Sequence, residues 1–208
     1  MARTRIKICG ITSPADGRMA AEAGADAVGL VFHADSPRAV SVEQAAAVCQ
    51  ALPAFVSAVG LFVDPEARQV EQVLAGCPLD ILQFHGDEPP AFCAGFGRRF
   101  LKAVRVGGGT DPAAAAERYG AGRLLLDAFV PGKPGGTGRT FRWSAIPADL
   151  APEVVLAGGL NADNVGEAVR TVRPFAVDVS SGVEERPGVK SAERVAAFVQ
   201  GVRDADNG

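Results

Sequence analysis

Two side chains in this sequence sit where they could trade protons. Cys9 closes the apolar run Ile6-Lys7-Ile8-Cys9, and Asp127 closes Leu124-Leu125-Leu126-Asp127. A thiol with an ordinary pKa of ~8.5 acts as a base when a nearby cation favours the thiolate. Lys7 is such a cation, because side chains alternate along a strand and Lys7 and Cys9 share a face. The competing reading of Cys9 is a small buried hydrophobe, the usual role of a free cysteine. A carboxyl placed behind three leucines can hold its proton and serve as an acid. Its plainer role is an ion pair with a lysine or arginine inside the fold. An acid and a base facing one site would move protons in opposite directions and make the rate bell-shaped in pH.

A second set of residues suits an anion. Leu156-Ala157-Gly158-Gly159-Leu160-Asn161 carries Gly158 and Gly159, and Asp178-Val179-Ser180-Ser181-Gly182-Val183-Glu184 carries Asp178, Ser180, Ser181 and Gly182. Glycines let backbone N–H groups close on a phosphate, and a short helix start adds its dipole. Tight turns alone are the other reading. Gly135-Gly136-Thr137-Gly138 is either a loop that closes on substrate, with Gly136 in contact, or a surface turn. Arg38, in Asp35-Ser36-Pro37-Arg38, has the planar fork that clamps a carboxylate, or is a solvated charge. His85 ends an apolar run and is either a hydrogen-bonding ligand or a satisfied wall residue. Cys49, Cys77 and Cys93 fall in helices or at helix ends and read as core.

Something must hold these groups together. Eight short apolar runs recur every 20 to 30 residues, at 6–9, 27–32, 56–63, 81–85, 101–106, 124–127, 154–157 and 176–180. Near-continuous Val/Ile/Leu runs of this length fit strands buried on both faces of a parallel sheet. Ala-rich helical stretches separate them. Ser41 with Gln44 reads as a capping box. Asp64-Pro65 and Asp111-Pro112 read as cap and first-turn proline. Asn161 and Ser191 are candidate caps for the last two helices, and Gly24, Gly76 and Gly120 are helix stops. A short helix is expected from Ser144 to Leu150. The pattern predicts an α/β fold, one (β/α)₈ TIM-barrel domain over residues 1–208. An open doubly wound sheet would show a nucleotide fingerprint after the first strand, and Cys9-Gly10-Ile11-Thr12 is not one. In such a barrel the functional groups lie at the C-terminal strand ends, which is where Cys9, Arg38, His85, Asp127, Gly158 and Asp178 fall. Alternation turns Lys7, Cys9, Leu125, Asp127, Asp178 and Ser180 inward.

The composition excludes several classes. In 208 residues, 48% are hydrophobic and 22% charged, and the net charge is −3 with the signs mixed. No basic stripe points to nucleic acid or a membrane surface. No apolar run approaches the ~20 residues of a spanning helix, and the start lacks the apolar stretch of a signal peptide. Four cysteines without zinc spacing predict no metal and free thiols in a reducing cytoplasm.

Taken in order, the motifs resemble the phosphoribosylanthranilate isomerase family, which performs the Amadori rearrangement of tryptophan biosynthesis. They are Lys7-Ile8-Cys9-Gly10, Ser36-Pro37-Arg38, Gly60-Leu61-Phe62-Val63, Gln83-Phe84-His85-Gly86, Leu125-Leu126-Asp127, Gly135-Gly136-Thr137-Gly138, Leu156-Ala157-Gly158-Gly159-Leu160 and Val177 to Glu184, running on to Pro187-Gly188-Val189-Lys190. The resemblance implies Cys9 as general base, Asp127 as general acid and Arg38 as the holder of the anthranilate carboxylate. It implies a phosphate on Gly158-Gly159 and Ser180-Ser181-Gly182, with the Gly135 to Gly138 loop closing nearby. It also implies a small-molecule substrate, the phosphorylated ribosylamine of anthranilate, no cofactor, and a monomer or homodimer. Phe84 stands where Leu is more usual, and Ala39 where an aromatic is common. The related histidine-pathway isomerase would carry Asp at Cys9. Indole-glycerol-phosphate synthase would need a strand-two Lys that Ala27 to Phe32 lacks. A non-catalytic phospho-sugar binder would not need both Cys9 and Asp127.

Overall fold

The eight apolar runs become eight parallel strands, hydrogen-bonded in chain order, with the last returning to the first to close a barrel. This computed structural model describes residues 3–106, 110–120, 122, 124–128, 143 and 146–208. The strands are β1 (Arg5–Cys9), β2 (Ala27–Val31), β3 (Ser57–Phe62), β4 (Ile81–Phe84), β5 (Arg99–Val106), β6 (Leu124–Ala128), β7 (Val155–Leu156) and β8 (Ala176–Val179). Between and after them run α1 (Pro14–Ala23), α2 (Val42–Ala51), α3 (Ala67–Gly76), α4 (Pro90–Ala94), α5 (Pro112–Tyr119), α6 (Val165–Val172) and α7 (Ala192–Asn207). A small hairpin, β9 (Glu184–Arg186) with β10 (Val189–Lys190), follows β8. The expected helix from Ser144 to Leu150 starts outside the described residues. From Ile146 onward the chain forms turns and a 3₁₀ segment at Ala151–Glu153 instead. The Gly135–Gly138 loop, Gly136 included, also lies outside the described residues.

Strand alternation sorts the core into two layers. Ile6, Ile8, Leu30, Phe62, Leu126, Val177 and Val179 face outward and join the helices in one cluster. Ala103, Leu125, Val155, Ala157 and Ala176 fill the lower lumen, and Cys9, Val31 and Leu61 form a separate group in it. The lumen is therefore packed, as in other barrels of this kind, and open only where the strands end. Phe84 belongs to the outer layer. Its ring lies 5.7 Å from Phe92, edge-on, and 6.2 Å from Phe62. Burying a side chain of this size stabilises the fold by about 1.5–3 kcal/mol.

Most local signals hold. Ser41 and Gln44 form the reciprocal capping box, Asp111 caps α5 through Ala113 N, and Ser191 caps α7 through Arg194 N. Gly24 ends α1 in a left-handed conformation, and Gly120 ends α5 with positive φ. Two cap assignments are corrected. Asp64 does not cap α3, which starts two residues later behind Glu66. Its carboxylate instead accepts from Asp87 N, bridging the loops after β3 and β4. Asn161 does not cap α6, whose N-cap is Asn164. Asn161 accepts from the backbones of Asp163 and Asn164, so it shapes the turn ahead of the helix.

Candidate active site

A cavity of about 290 Å³ opens at the C-terminal ends of the strands, lined among others by Cys9, Arg38, His85, Asp127, Gly158 and Asp178. Cys9 ends β1, and Lys7 lies one layer below, its Nζ 2.8 Å from Asp178 Oδ1 on β8. The register that pairs Lys7 with Asp178 across the β1–β8 seam makes this contact. Burial works against charge on Lys7, yet Asp178 and the Cys9 sulfur outweigh it and hold the ammonium above its usual range. Burial pushes the Cys9 thiol up, and Asp178 adds to the rise, while Lys7 and Lys190 pull the other way without winning. The cation read from the sequence is present, but it does not turn the resting thiol into a low-pKa thiolate.

Room for this pair comes from β2. A Cβ on Gly29 would stand 2.7 Å from Cys9 Sγ and 3.1 Å from Lys7 Nζ. Gly29→Ala is therefore expected to displace the thiol, and a displacement of about an ångström costs ~10²-fold in kcat/KM where the displaced group reacts. Steady-state kinetics beside a thermal melt would check this, and unchanged kcat/KM would sink the close-approach argument.

Arg38 lies in the loop after β2, and its Nε and Nη2 donate to both carboxylate oxygens of Glu184, at 2.8 and 2.7 Å. Nη1 is not part of that pair. Glu184 also accepts from Lys190 Nζ at 2.8 Å, and Lys190 in turn donates to Ser180 O. Burial works to raise the Glu184 carboxyl, but the bonds from Arg38 and Lys190 outweigh it and hold it below the usual carboxylate range. The sequence pointed to Arg38 and missed its partner Glu184 and the second cation on that carboxylate, Lys190. Both stood in quoted motifs, but nothing along the chain links Arg38 to a glutamate 146 positions away.

The glycine-rich ends of β7 and β8 meet. Gly158 and Gly159 have φ of 88° and 67°, and Ser181–Val183 is a three-residue 3₁₀ turn. Gly182 packs directly on Leu160 O, joining the two loops. No α-helix starts at this turn, so an anion would rest on backbone N–H groups with little dipole behind them.

Asp127 is the penultimate residue of β6 and is buried. Its Oδ2 lies 3.2 Å from His85 Nε2, and His85 Nδ1 lies 3.2 Å from Gln83 Nε2. The partner of Asp127 is thus a histidine, through a hydrogen bond, and not the lysine or arginine considered for an ion pair. His33 lines the same cavity. The loop carrying His85 is braced by a buried ion pair that the sequence did not suggest, Lys102 Nζ to Glu88 at 3.1 Å. Among the described residues no cluster of three or more His, Cys, Asp or Glu could hold a metal ion. No helix of the described residues is long and apolar enough to cross a membrane.

The chain is similar to known proteins over nearly its whole length. The model of the family described as N-(5'phosphoribosyl)anthranilate (PRA) isomerase matches residues 6–201. The N-(5'-phosphoribosyl)anthranilate isomerase of Pseudomonas putida strain F1 is 54% identical over 206 residues, 99% of this chain and all of that protein. The enzyme of that name from Azotobacter vinelandii is 56% identical over the same span. A crystal structure of the Thermotoga maritima phosphoribosylanthranilate isomerase superposes with a TM-score of 0.84 at 38% identity, covering 97% of this chain and 99% of the other. A phosphoribosyl anthranilate isomerase in complex with reduced 1-(o-carboxyphenylamino)-1-deoxyribulose 5-phosphate superposes with a TM-score of 0.82 at 36% identity and the same coverage.

Proposed function

The chain belongs to the N-(5'-phosphoribosyl)anthranilate isomerase family, and we propose that Cys9 and Asp127 are the base and the acid of its reaction. The enzyme converts N-(5'-phosphoribosyl)anthranilate to 1-(2-carboxyphenylamino)-1-deoxyribulose 5-phosphate in tryptophan biosynthesis. Substrate and product are isomers, so the protein needs only to move protons. Asp127 gives its proton to the ring oxygen as the C1–O bond breaks, and the anthranilate nitrogen forms the C1=N⁺ Schiff base. Cys9 takes the C2 proton, and the electron pair makes the C1=C2 enolamine, which tautomerises to the ketose. The observation that carries this reading is that Cys9 and Asp127, three strands apart around the barrel, line one cavity with the β7 and β8 loops.

The binding roles follow from chemistry. The phosphate rests on Gly158, Gly159, Ser180, Ser181 and Gly182. Arg38 takes the anthranilate carboxylate through the donors Glu184 leaves it. Asp178 holds Lys7 beneath the base, and His85 forms the wall on the acid side. The enzyme works in the cytoplasm, as a monomer or homodimer. A reducing compartment suits four free cysteines, two of which, Cys49 and Cys77, lie 3.5 Å apart as thiols.

The test is turnover of freshly made N-(5'-phosphoribosyl)anthranilate, followed through its anthranilate fluorescence, in the wild type and in Asp127→Asn. Asp127→Asn is expected to lower kcat ~10²-fold, since a ribosylamine ring opens slowly unaided and the acid supplies the rest. Full turnover in that variant would remove Asp127 from the mechanism. Binding without turnover in the wild type would favour a different phosphorylated substrate.

A further inference from the structure

The imidazole beside the acid has both ring nitrogens occupied by the protein. Gln83 and His85 stand two positions apart on and just beyond β4, so alternation turns both into the lumen, where they line the cavity. Gln83 Nε2 donates to His85 Nδ1 at 3.2 Å, and His85 Nε2 meets Asp127 Oδ2 at 3.2 Å. Gln83 is fully buried, yet its Oε1 has no hydrogen-bond partner among the described residues. A buried amide held at one end by a histidine alone is unusual, since buried polar groups are normally satisfied.

We propose that His85 is a positioning residue for Asp127, with Gln83 selecting the imidazole tautomer that suits each protonation state of the acid. This rests on the reading of Asp127 as the general acid. Asp127 must carry a proton before ring opening and none after it. A neutral imidazole can serve both states, because one nitrogen donates while the other accepts. With the amide N–H of Gln83 on Nδ1, the proton sits on Nε2 and points at the Asp127 carboxylate. With the amide turned over, Oε1 accepts from Nδ1–H, and the bare Nε2 accepts the proton of the Asp127 carboxyl. The two amide orientations have the same shape, so the packed lumen accommodates either. Because no third group among the described residues pins Oε1, the amide is free to follow the ring. The charged neighbour on the adjoining strand is Arg105, paired in register with Asp127 and lining the same cavity. Lys102 is engaged elsewhere, by Glu88. Fixing the tautomer of a working histidine by its second nitrogen is a general device.

The test uses the whole enzyme and the variants His85→Gln, Gln83→Leu, Asp127→Asn and His85→Gln with Asp127→Asn. His85→Gln keeps an N–H for Asp127 but cannot exchange donor for acceptor. It is expected to lower kcat ~10-fold or more with little change in KM, and to cost almost nothing further once Asp127 is Asn. Gln83→Leu is expected to share the kcat effect. The chain has two histidines, so nitrogen-15 spectra can be assigned to His85 with His33→Gln as reference. Its ring signals should move from the Nε2–H toward the Nδ1–H pattern as Asp127 takes up its proton, and should lose that step in Asp127→Asn. A rise in KM at unchanged kcat in His85→Gln, losses that multiply in the double variant, or identical His85 titration with and without Asp127 would each overturn the proposal. If Asp127→Asn is slow while His85→Gln is as fast as the wild type, only this inference fails. If Asp127→Asn keeps full turnover, the assignment of the acid fails with it.

Discussion

Cys9→Ala is expected to lower kcat ~10³-fold, the largest single loss in this site. Removing a proton from carbon is the step least able to proceed without a base, whereas the ribosylamine ring can open on its own. The fold should survive, because Lys7 keeps Asp178 as its partner and alanine fits the space of the thiol. The pH dependence adds a sharper check. Burial holds the Cys9 thiol above its ordinary range, and only the thiolate can act as base. Asp127 must keep its proton while Cys9 loses its own, so the wild-type kcat/KM should be bell-shaped in pH, and Cys9→Ala should lose the limb that the thiol sets. The charged groups that set this limb are Lys7, Asp178, Lys190 and Arg38. A Cys9→Ala enzyme with more than a tenth of wild-type turnover, or with the pH profile of the wild type, would count against Cys9 as the base.

Glu184→Ala is expected to carry the largest stability cost, about 3–5 kcal/mol, because it strands two cations at once. The Lys190 side chain is wholly buried, and the Arg38 side chain is only 17% exposed. Burial already holds Lys190 below its usual range, with Glu184 as its main support. Losing the partner pushes it further down. KM should also rise ~10-fold, since Arg38 would no longer be held at the cavity by two bonds. The variant Glu184→Gln with Lys190→Met separates the effects. It removes the buried charges together and should regain most of the stability while KM stays high. The wild type should report the same cluster in acid. Glu184 titrates below the usual carboxylate range, so its contribution is complete above the unfolded-state value and is lost as pH falls through the folded one. Chemical denaturation of each variant, with wild-type melts between pH 7 and 3, measures all of this. A Glu184→Ala protein as stable as the wild type would show that the cluster is not a structural hub.

The expectations that held were those written along the chain. Ile6, Ile8 and the three leucines before Asp127 spell out strands by apolar continuity, and strand alternation puts Lys7, Cys9 and Asp127 on the inner face. Ser41 with Gln44, Asp111 before Pro112, and Ser191 signal helix starts because a cap and its target N–H lie within three residues. The same local rules misplaced Asp64 and Asn161. Asp64 has a cap-like sequence, but its carboxylate is claimed by Asp87 N from the next loop. Asn161 shapes a turn three residues early because a second asparagine, Asn164, takes the N-cap.

Partnerships across the barrel could not be read this way. Lys7 meets Asp178 over 171 positions and Arg38 meets Glu184 over 146, contacts that exist because β8 returns to β1 in one register. His85 and Asp127 stood as separate candidates until β4, β5 and β6 aligned them. The direction of the Cys9 shift is likewise a tertiary result. A lysine two residues away argues for a low thiol pKa, and the enclosure made by Gly29 and the lumen argues more strongly for a high one. Residue types and their spacing were enough to determine the barrel, the inward-facing Cys9 and Asp127, and the glycine-rich loops after β7 and β8, because those depend on periodicity and on neighbours in the chain. Which charges meet, which nitrogen of an imidazole is engaged and how far a thiol is desolvated were decided only when the sheet closed, because electrostatics and burial act through space.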